Sequence, residues 1–146
     1  MMSKVFILFR LALVVFVVSF ASLVAADDID DARDVSRSIL EKLEKKEFAR
    51  VWDDNVSEWF KDKTTKPAFL GNMTITHRQL GGLSESRVLI QQNQSDGDLA
   101  SGYSGEVFSF MYETGFPNAK VYETIVLIFD GDDLKLAGFN YVPNPN

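Results

Sequence analysis

Cysteine is absent from the 146-residue chain, and histidine occurs only once, at position 77. Without cysteine there can be no disulfide, thiol chemistry or cysteine–zinc site, so the core alone must hold the fold together. No other potential ligand lies at metal-binding spacing from His77. The acidic turn sequences at 96–98 and 130–133 do not continue into a calcium-binding loop. We therefore predict neither a metal nor another cofactor.

Basic residues are also scarce, since 15 Lys and Arg face 21 Asp and Glu, which gives a net charge of −6. Nucleic acid and anionic membrane surfaces repel an acidic protein, so neither is an expected partner. The sequence also lacks the Gly-x-Ser-x-Gly motif of many hydrolases. Composition and motifs therefore assign no catalytic residue.

The segment from Met1 to Ala26 has the pattern of a cleavable secretory signal peptide. Lys4 and Arg10 come first, an apolar run from Leu11 to Phe20 follows, and small residues at 24–26 offer a cleavage site. The alternative is an uncleaved membrane anchor, but the 16 residues 11–26 are fewer than the roughly 20 that a spanning helix needs. We expect a periplasmic or secreted protein with no stable membrane span after cleavage. Residues 27–146 suffice for a single domain.

Helical periodicity marks the first part of this domain. Apolar residues recur at spacings of three and four along a long first helix: Ile29, Ala32, Val35, Ile39 and Leu43. A shorter helical stretch covers 48–60, and a third helix runs from Pro67 to Gly81-Gly82.

Strand patterns fill the second part. We predict strands over 87–92, 105–113, 121–129 and 134–142, separated by turns at 95–98, 115–118 and 130–133. Helices followed by an antiparallel meander indicate an α+β fold, with the long first helix packed on a curled four-stranded sheet.

Several short sequences resemble one bacterial family, domain-of-unknown-function family 4019. They are Trp59-Phe60, Phe69, Arg78-Gln79-Leu80-Gly81, Ser86-Arg87, Gly102-Tyr103, Glu123-Thr124-Ile125-Val126-Leu127 and Gly138-Phe139. The resemblance implies an exported protein with a cystatin-like or NTF2-like roll and no assigned activity. Leu134 and Phe139 depart from the family, which commonly has tryptophan and tyrosine at these places.

Two glutamates stand out in the strand region. Alternation places Glu106 on the same face as the aromatic residues Phe110 and Tyr112, and Glu123 on the same face as Ile125. A carboxylate on an apolar face is costly unless it is paired with a cation.

Arg78 or Arg87 is the expected partner of one of these glutamates. In one interpretation the pair is an ionic link that ties the third helix to the sheet. In the other, as in many NTF2-like rolls, Arg78, Arg87, Glu106 and Glu123 form the polar rim of an apolar groove that includes Phe110 and Tyr112. Burial would then raise the pKa of a rim glutamate and suit it to act as a general base.

Three functions stay open from the sequence. The leading hypothesis is a non-enzymatic binding or protein-interaction module for a small apolar ligand or a protein partner. The alternative is an NTF2-like enzyme of the isomerase or hydrolase type that uses a buried carboxylate. The third is a structural homodimer whose sheet faces pair.

Overall fold

The computed structural model describes residues 28–99 and 102–145, with the backbone alone for 98 and 99. The predicted signal peptide lies outside the described residues. By internal contacts the chain divides into Met1–Asp31 and Ala32–Asn146, and the second unit holds the sheet. Among the described residues, no helix combines the length and the hydropathy that crossing a bilayer requires.

Helical structure occupies the first part of the described chain, as predicted. Residues 28–44 are helical (α1), and α2 (Phe48–Asn55), α3 (Glu58–Lys61) and α4 (Lys66–Leu80) follow. The buried face of α1 is wider than the apolar spacing alone suggested, because it also includes Ser36 and Leu40. Its fully buried residues are Ala32, Ser36, Ile39, Leu40 and Leu43.

The stretch over 48–60 is two helices rather than one, which corrects the sequence prediction. Val56 leaves the helix to form a parallel bridge with Leu136, and the Ser57 N–H donates to the Leu136 carbonyl at 2.9 Å. The Ser57 hydroxyl then accepts from the Phe60 N–H at 3.2 Å and caps α3. The break therefore follows from a contact with a distant strand.

Helix α4 has the ends that its sequence predicts. The Thr65 hydroxyl accepts from the Ala68 N–H at 3.3 Å, and Pro67 lies in the first turn, where its missing N–H costs nothing. Gly81 ends the helix at φ +88°, and its N–H donates to the His77 carbonyl. A left-handed glycine is a common helix terminus because it has no Cβ to clash.

The strands form one open antiparallel sheet in the order β1-β2-β3-β4. They are β1 (Ser86–Leu99), β2 (Tyr103–Gly115), β3 (Lys120–Asp130) and β4 (Asp133–Pro143). This confirms the α+β class and the four-stranded meander. The architecture is compatible with a cystatin-like or NTF2-like roll, which stays a prediction.

One predicted turn is wrong. The sequence 95–98 contains turn-forming residues, but β1 continues through it, and Ser95, Asp96 and Gly97 pair with Val107, Glu106 and Gly105. Pairing with the long strand β2 satisfies the backbone groups of these residues, which outweighs their local preference for a turn. The β3–β4 turn lies where it was expected, between Asp130 and Asp133.

The core lies between the helices and one face of the sheet. Phe108, Phe110, Tyr112, Ile125 and Leu127 alternate along β2 and β3 and are all buried. Helix α1 covers this face, as the 2.6 Å hydrogen bond between the Ser36 and Tyr112 hydroxyls demonstrates. The long first helix therefore packs on the sheet as predicted.

Candidate functional site

The predicted pairing of an arginine with a buried glutamate is present, and the arginine is Arg87. Its Nε donates to Glu123 Oε1 at 3.0 Å, and its Nη2 also donates to the Glu44 carboxylate. The side chain of Glu123 is 1% exposed and that of Arg87 is 14% exposed. We call Glu44, Arg87 and Glu123 the ionic cluster. It links α1 to β1 and β3.

The charges of the ionic cluster compensate one another inside the fold. Burial raises the pKa of Glu123, although the positive charge of Arg87 opposes the shift. Burial alone would lower the pKa of Arg87, but Glu123 and Glu44 together raise it. The guanidinium therefore stays charged, and the carboxylate of Glu123 is both hydrogen-bonded to it and shielded from solvent.

The other predicted site residues do not join this cluster. Arg78 is exposed in the last turn of α4, so it does not tie the third helix to the sheet. Glu106 is half-buried and accepts from Gln94 Nε2 at 3.0 Å. Phe110 and Tyr112 belong to the buried core. The six residues therefore do not surround one opening, and a ligand-binding role for them stays a prediction.

A different concave surface, which we call the α4–β4 groove, lies between α4 and the edge strand β4. It has a volume of about 500 Å³. Its apolar walls include the rings of Phe60, Phe69, Phe139 and Tyr141. Its neutral polar residues are Thr64, Asn72, Thr76, Gln79 and Asn140. None of the described residues that line it is Asp, Glu, Lys, Arg or His.

The only histidine of the chain supports one wall of this groove. His77 Nε2 and the Tyr141 hydroxyl are 2.7 Å apart, and the rings of Phe48 and Phe116 pack on the imidazole at 5.3 and 6.4 Å. His77 is 4% exposed, and burial lowers its pKa to about 4 even though Glu44 acts in the opposite direction. Burial likewise raises the pKa of Tyr141. The pair is therefore uncharged at neutral pH and holds the Tyr141 ring in place.

A metal centre finds no support in the described residues, where no three His, Asp or Glu side chains are grouped to hold an ion. His77 is instead enclosed by aromatic rings, as the three ring contacts with Phe48, Phe116 and Tyr141 indicate. The described part of the chain therefore offers a neutral groove and a separate, closed ionic cluster.

Sequence reasoning missed the α4–β4 groove but contained part of its signal. Phe69, Met73 and Leu80 recur on one face of α4, and all three line the groove. The opposite wall comes from consecutive residues of β4, around Phe139 to Tyr141, and the sequence does not reveal that α4 lies beside this edge.

Comparison with known proteins identifies the family. The family model described as "Protein of unknown function (DUF4019)" matches residues 35–139. The chain therefore belongs to this family, which confirms the resemblance seen in the sequence. The comparisons with curated proteins and with solved structures found no match.

Proposed function

We propose that this member of the DUF4019 family is an exported, non-enzymatic binding module whose α4–β4 groove takes an uncharged, mainly apolar ligand. The observation that carries the proposal is the lining of the groove, which joins four aromatic rings to neutral polar side chains and, among the described residues, contains no charge. Ligand sites typically have volumes of about 300–1,000 Å³ and apolar walls with a few polar groups. Burying a charged ligand without a partner would be costly.

The absence of acid–base groups from the described lining supports a non-enzymatic role. Tyr141 is the one titratable residue among the described residues that line the groove, and its raised pKa keeps it protonated at neutral pH. Of the two glutamates that an isomerase or hydrolase mechanism could use, Glu123 is held by Arg87 outside the groove, and Glu106 does not line the groove either. A general base must reach the proton that it removes. The enzyme hypothesis therefore lacks a general base among the described residues that line the groove.

Export is the second part of the proposal, and the sequence of residues 1–26 supports it. The mature protein should begin at or near Asp27. Amino-terminal sequencing of protein recovered from outside the cytoplasm tests this start. Intact Met1 on a membrane-bound protein would contradict it.

Binding to the groove is tested with Nile red, an uncharged dye whose emission rises in apolar surroundings. Met73 lines the groove, so Met73→Glu places a charge in it and should weaken dye binding about tenfold. Ile75 lies on the same helix, is 55% exposed and does not line the groove. Ile75→Glu is the matched control and should bind the dye like the wild type.

Two outcomes would contradict the proposed site. One is wild-type protein that does not enhance the dye emission. The other is equal dye binding by the wild type, Met73→Glu and Ile75→Glu, which would place the dye elsewhere. Thermal melts of the variants establish that each is folded.

A further inference from the structure

Strand β4 lies at the edge of the sheet, because its one strand neighbour is β3. Near its start the edge is occupied, since Val56 bridges Leu136 and the Ser57 N–H donates to the Leu136 carbonyl. From Ala137 to Pro143, no described strand pairs with the outer side of β4. A stretch of seven residues of edge is thus open, with a length of about 20 Å.

The register fixes which backbone groups face outward along this stretch. The Asn144 N–H donates to the Lys120 carbonyl at 2.9 Å. Asn144, Val142, Asn140 and Gly138 therefore turn their backbone groups toward β3, and the register shifts beyond Gly138. The intervening residues Phe139, Tyr141 and Pro143 turn theirs outward. Pro143 fits this phase, because a proline is tolerated on an edge strand where its missing N–H would face away from the sheet.

These outward groups are available for pairing. Among the described residues, no hydrogen bond uses the backbone N–H or C=O of Phe139 or Tyr141 on the outer side. They form a row in which donors and acceptors alternate at the spacing of an extended chain.

The open edge is also a wall of the α4–β4 groove. Phe139, Asn140 and Tyr141 are consecutive and all line it, although alternation points their side chains to opposite faces of the sheet. Consecutive lining residues indicate that the groove runs along the strand edge itself. Phe69 and Met73 of α4 line the same groove, so a ligand there meets backbone groups on one side and apolar side chains on the other.

We propose that the α4–β4 groove binds an extended, uncharged segment of a partner polypeptide, which adds to the sheet as a strand beside β4. This inference rests on the proposed function and names its ligand class. A backbone of the partner supplies the alternating donors and acceptors that Phe139 and Tyr141 require, and pockets for alternate side chains give such complexes their selectivity. The neutral lining selects against charged side chains at the positions that face α4.

A second copy of this chain fits the edge poorly. In a continuous sheet formed by two antiparallel β4 strands, the covered faces of both copies would lie on the same side. Each copy would then bring its own α4 to the seam, where α4 already flanks the edge and lines the groove. A single extended segment without a covering helix meets no such obstruction.

The first test uses two synthetic peptides with identical side chains. The probe is a blocked, fluorescently labelled peptide of about seven residues that alternates threonine with valine or phenylalanine. The control carries N-methyl groups on alternate amides, on the side that would face β4, which removes its donors. The unmodified peptide should bind and the N-methylated one should bind at least tenfold more weakly in fluorescence anisotropy. Equal affinities would overturn strand addition.

The second test changes the protein. Phe139→Pro removes one outward N–H and leaves the bonds to β3 intact, whereas Phe139→Ala removes the same ring but keeps the N–H. Phe139→Pro should bind the peptide about fivefold more weakly than Phe139→Ala, while both bind Nile red equally. Hydrogen exchange at the amides of Phe139 and Tyr141 should slow at least tenfold when the unmodified peptide is added to the wild type.

The outcomes separate this inference from the function on which it rests. If Nile red binds in the groove but the peptide neither binds nor slows exchange at Tyr141, strand addition is wrong and the groove takes small molecules only. If neither probe binds, the proposed function fails with it. If the protein without peptide is instead a dimer whose amides at Phe139 and Tyr141 are already slow to exchange, a second copy is the occupant and the proposal is overturned.

Discussion

Replacing Arg87 by alanine should destabilise the domain strongly. Glu123 is 1% exposed, so the variant keeps a carboxylate that is buried and no longer compensated. Removing one partner of a buried ion pair costs about 3–5 kcal/mol. For a domain of this size, each kcal/mol lowers the melting temperature by about 4 °C, so a fall of roughly 12–20 °C is expected.

The pH dependence of this loss distinguishes an uncompensated charge from simple loss of packing. Without Arg87, burial holds the pKa of Glu123 above its unfolded value, so the folded state binds a proton that the unfolded chain has released. Stability of the variant therefore falls as pH rises above about 4.5. The difference from the wild type should be larger at pH 7 than at pH 4.5.

Urea unfolding followed by circular dichroism measures both effects. Arg78→Ala is the control, because Arg78 is exposed and should change stability by less than about 0.5 kcal/mol. If Arg87→Ala does not fold, the triple variant Glu44→Met/Arg87→Met/Glu123→Met removes all three charges of the ionic cluster and should lie within about 2 kcal/mol of the wild type. Unchanged stability of Arg87→Ala at pH 7 would refute the reasoning.

Three further predictions concern the fold and are measured by the same unfolding assay. The folded protein keeps His77 neutral down to about pH 4, whereas the unfolded chain protonates it near 6.5. As the pH falls from 6.5 to 4, the wild type should therefore lose up to about 3 kcal/mol of stability relative to His77→Gln, and parallel pH profiles of the two proteins would contradict this. Ser36→Ala should cost more than Tyr112→Phe, about 2 against about 1 kcal/mol, because it leaves a buried tyrosine hydroxyl without its partner. In Tyr112→Phe the Ser36 hydroxyl still donates to the Arg33 carbonyl. Gly81→Ala should cost at least about 1 kcal/mol, because Gly81 has a φ of +88°. Gly71 lies inside α4 with open space around it, so Gly71→Ala should stabilise the domain by about 0.5–1 kcal/mol; a stabilising Gly81→Ala with a destabilising Gly71→Ala would contradict the helix geometry.

Local sequence rules predicted those features that depend on strand period and helix ends. Glu123 alternates with apolar residues on β3, which placed it on the buried face and required a cation near it. Arg87 was one of two candidates, and the structure forms that pair. Thr65, Pro67 and Gly81 carry enough local chemistry to bound α4 without tertiary information.

Features that depend on how elements cross could not be predicted. Glu44 lies in a run rich in lysine and glutamate that reads as a solvated helix surface, yet α1 crosses β1 so that Glu44 reaches Arg87. The Asp-Gly sequence in 95–98 favours a turn locally, but pairing along β2 prevails. The α4–β4 groove depends on the position of α4 beside the edge of β4, which no spacing in the sequence encodes.

The location of the binding surface is the central claim, and one measurement tests it most directly. Nile red is titrated into isotope-labelled protein, and the shifted backbone amide resonances are mapped by NMR. We predict that the shifts concentrate at Phe69, Met73 and Tyr141 in the α4–β4 groove. Shifts concentrated instead at Val88 and Val142, which share a cross-strand row on the opposite, exposed face of the sheet, would contradict it.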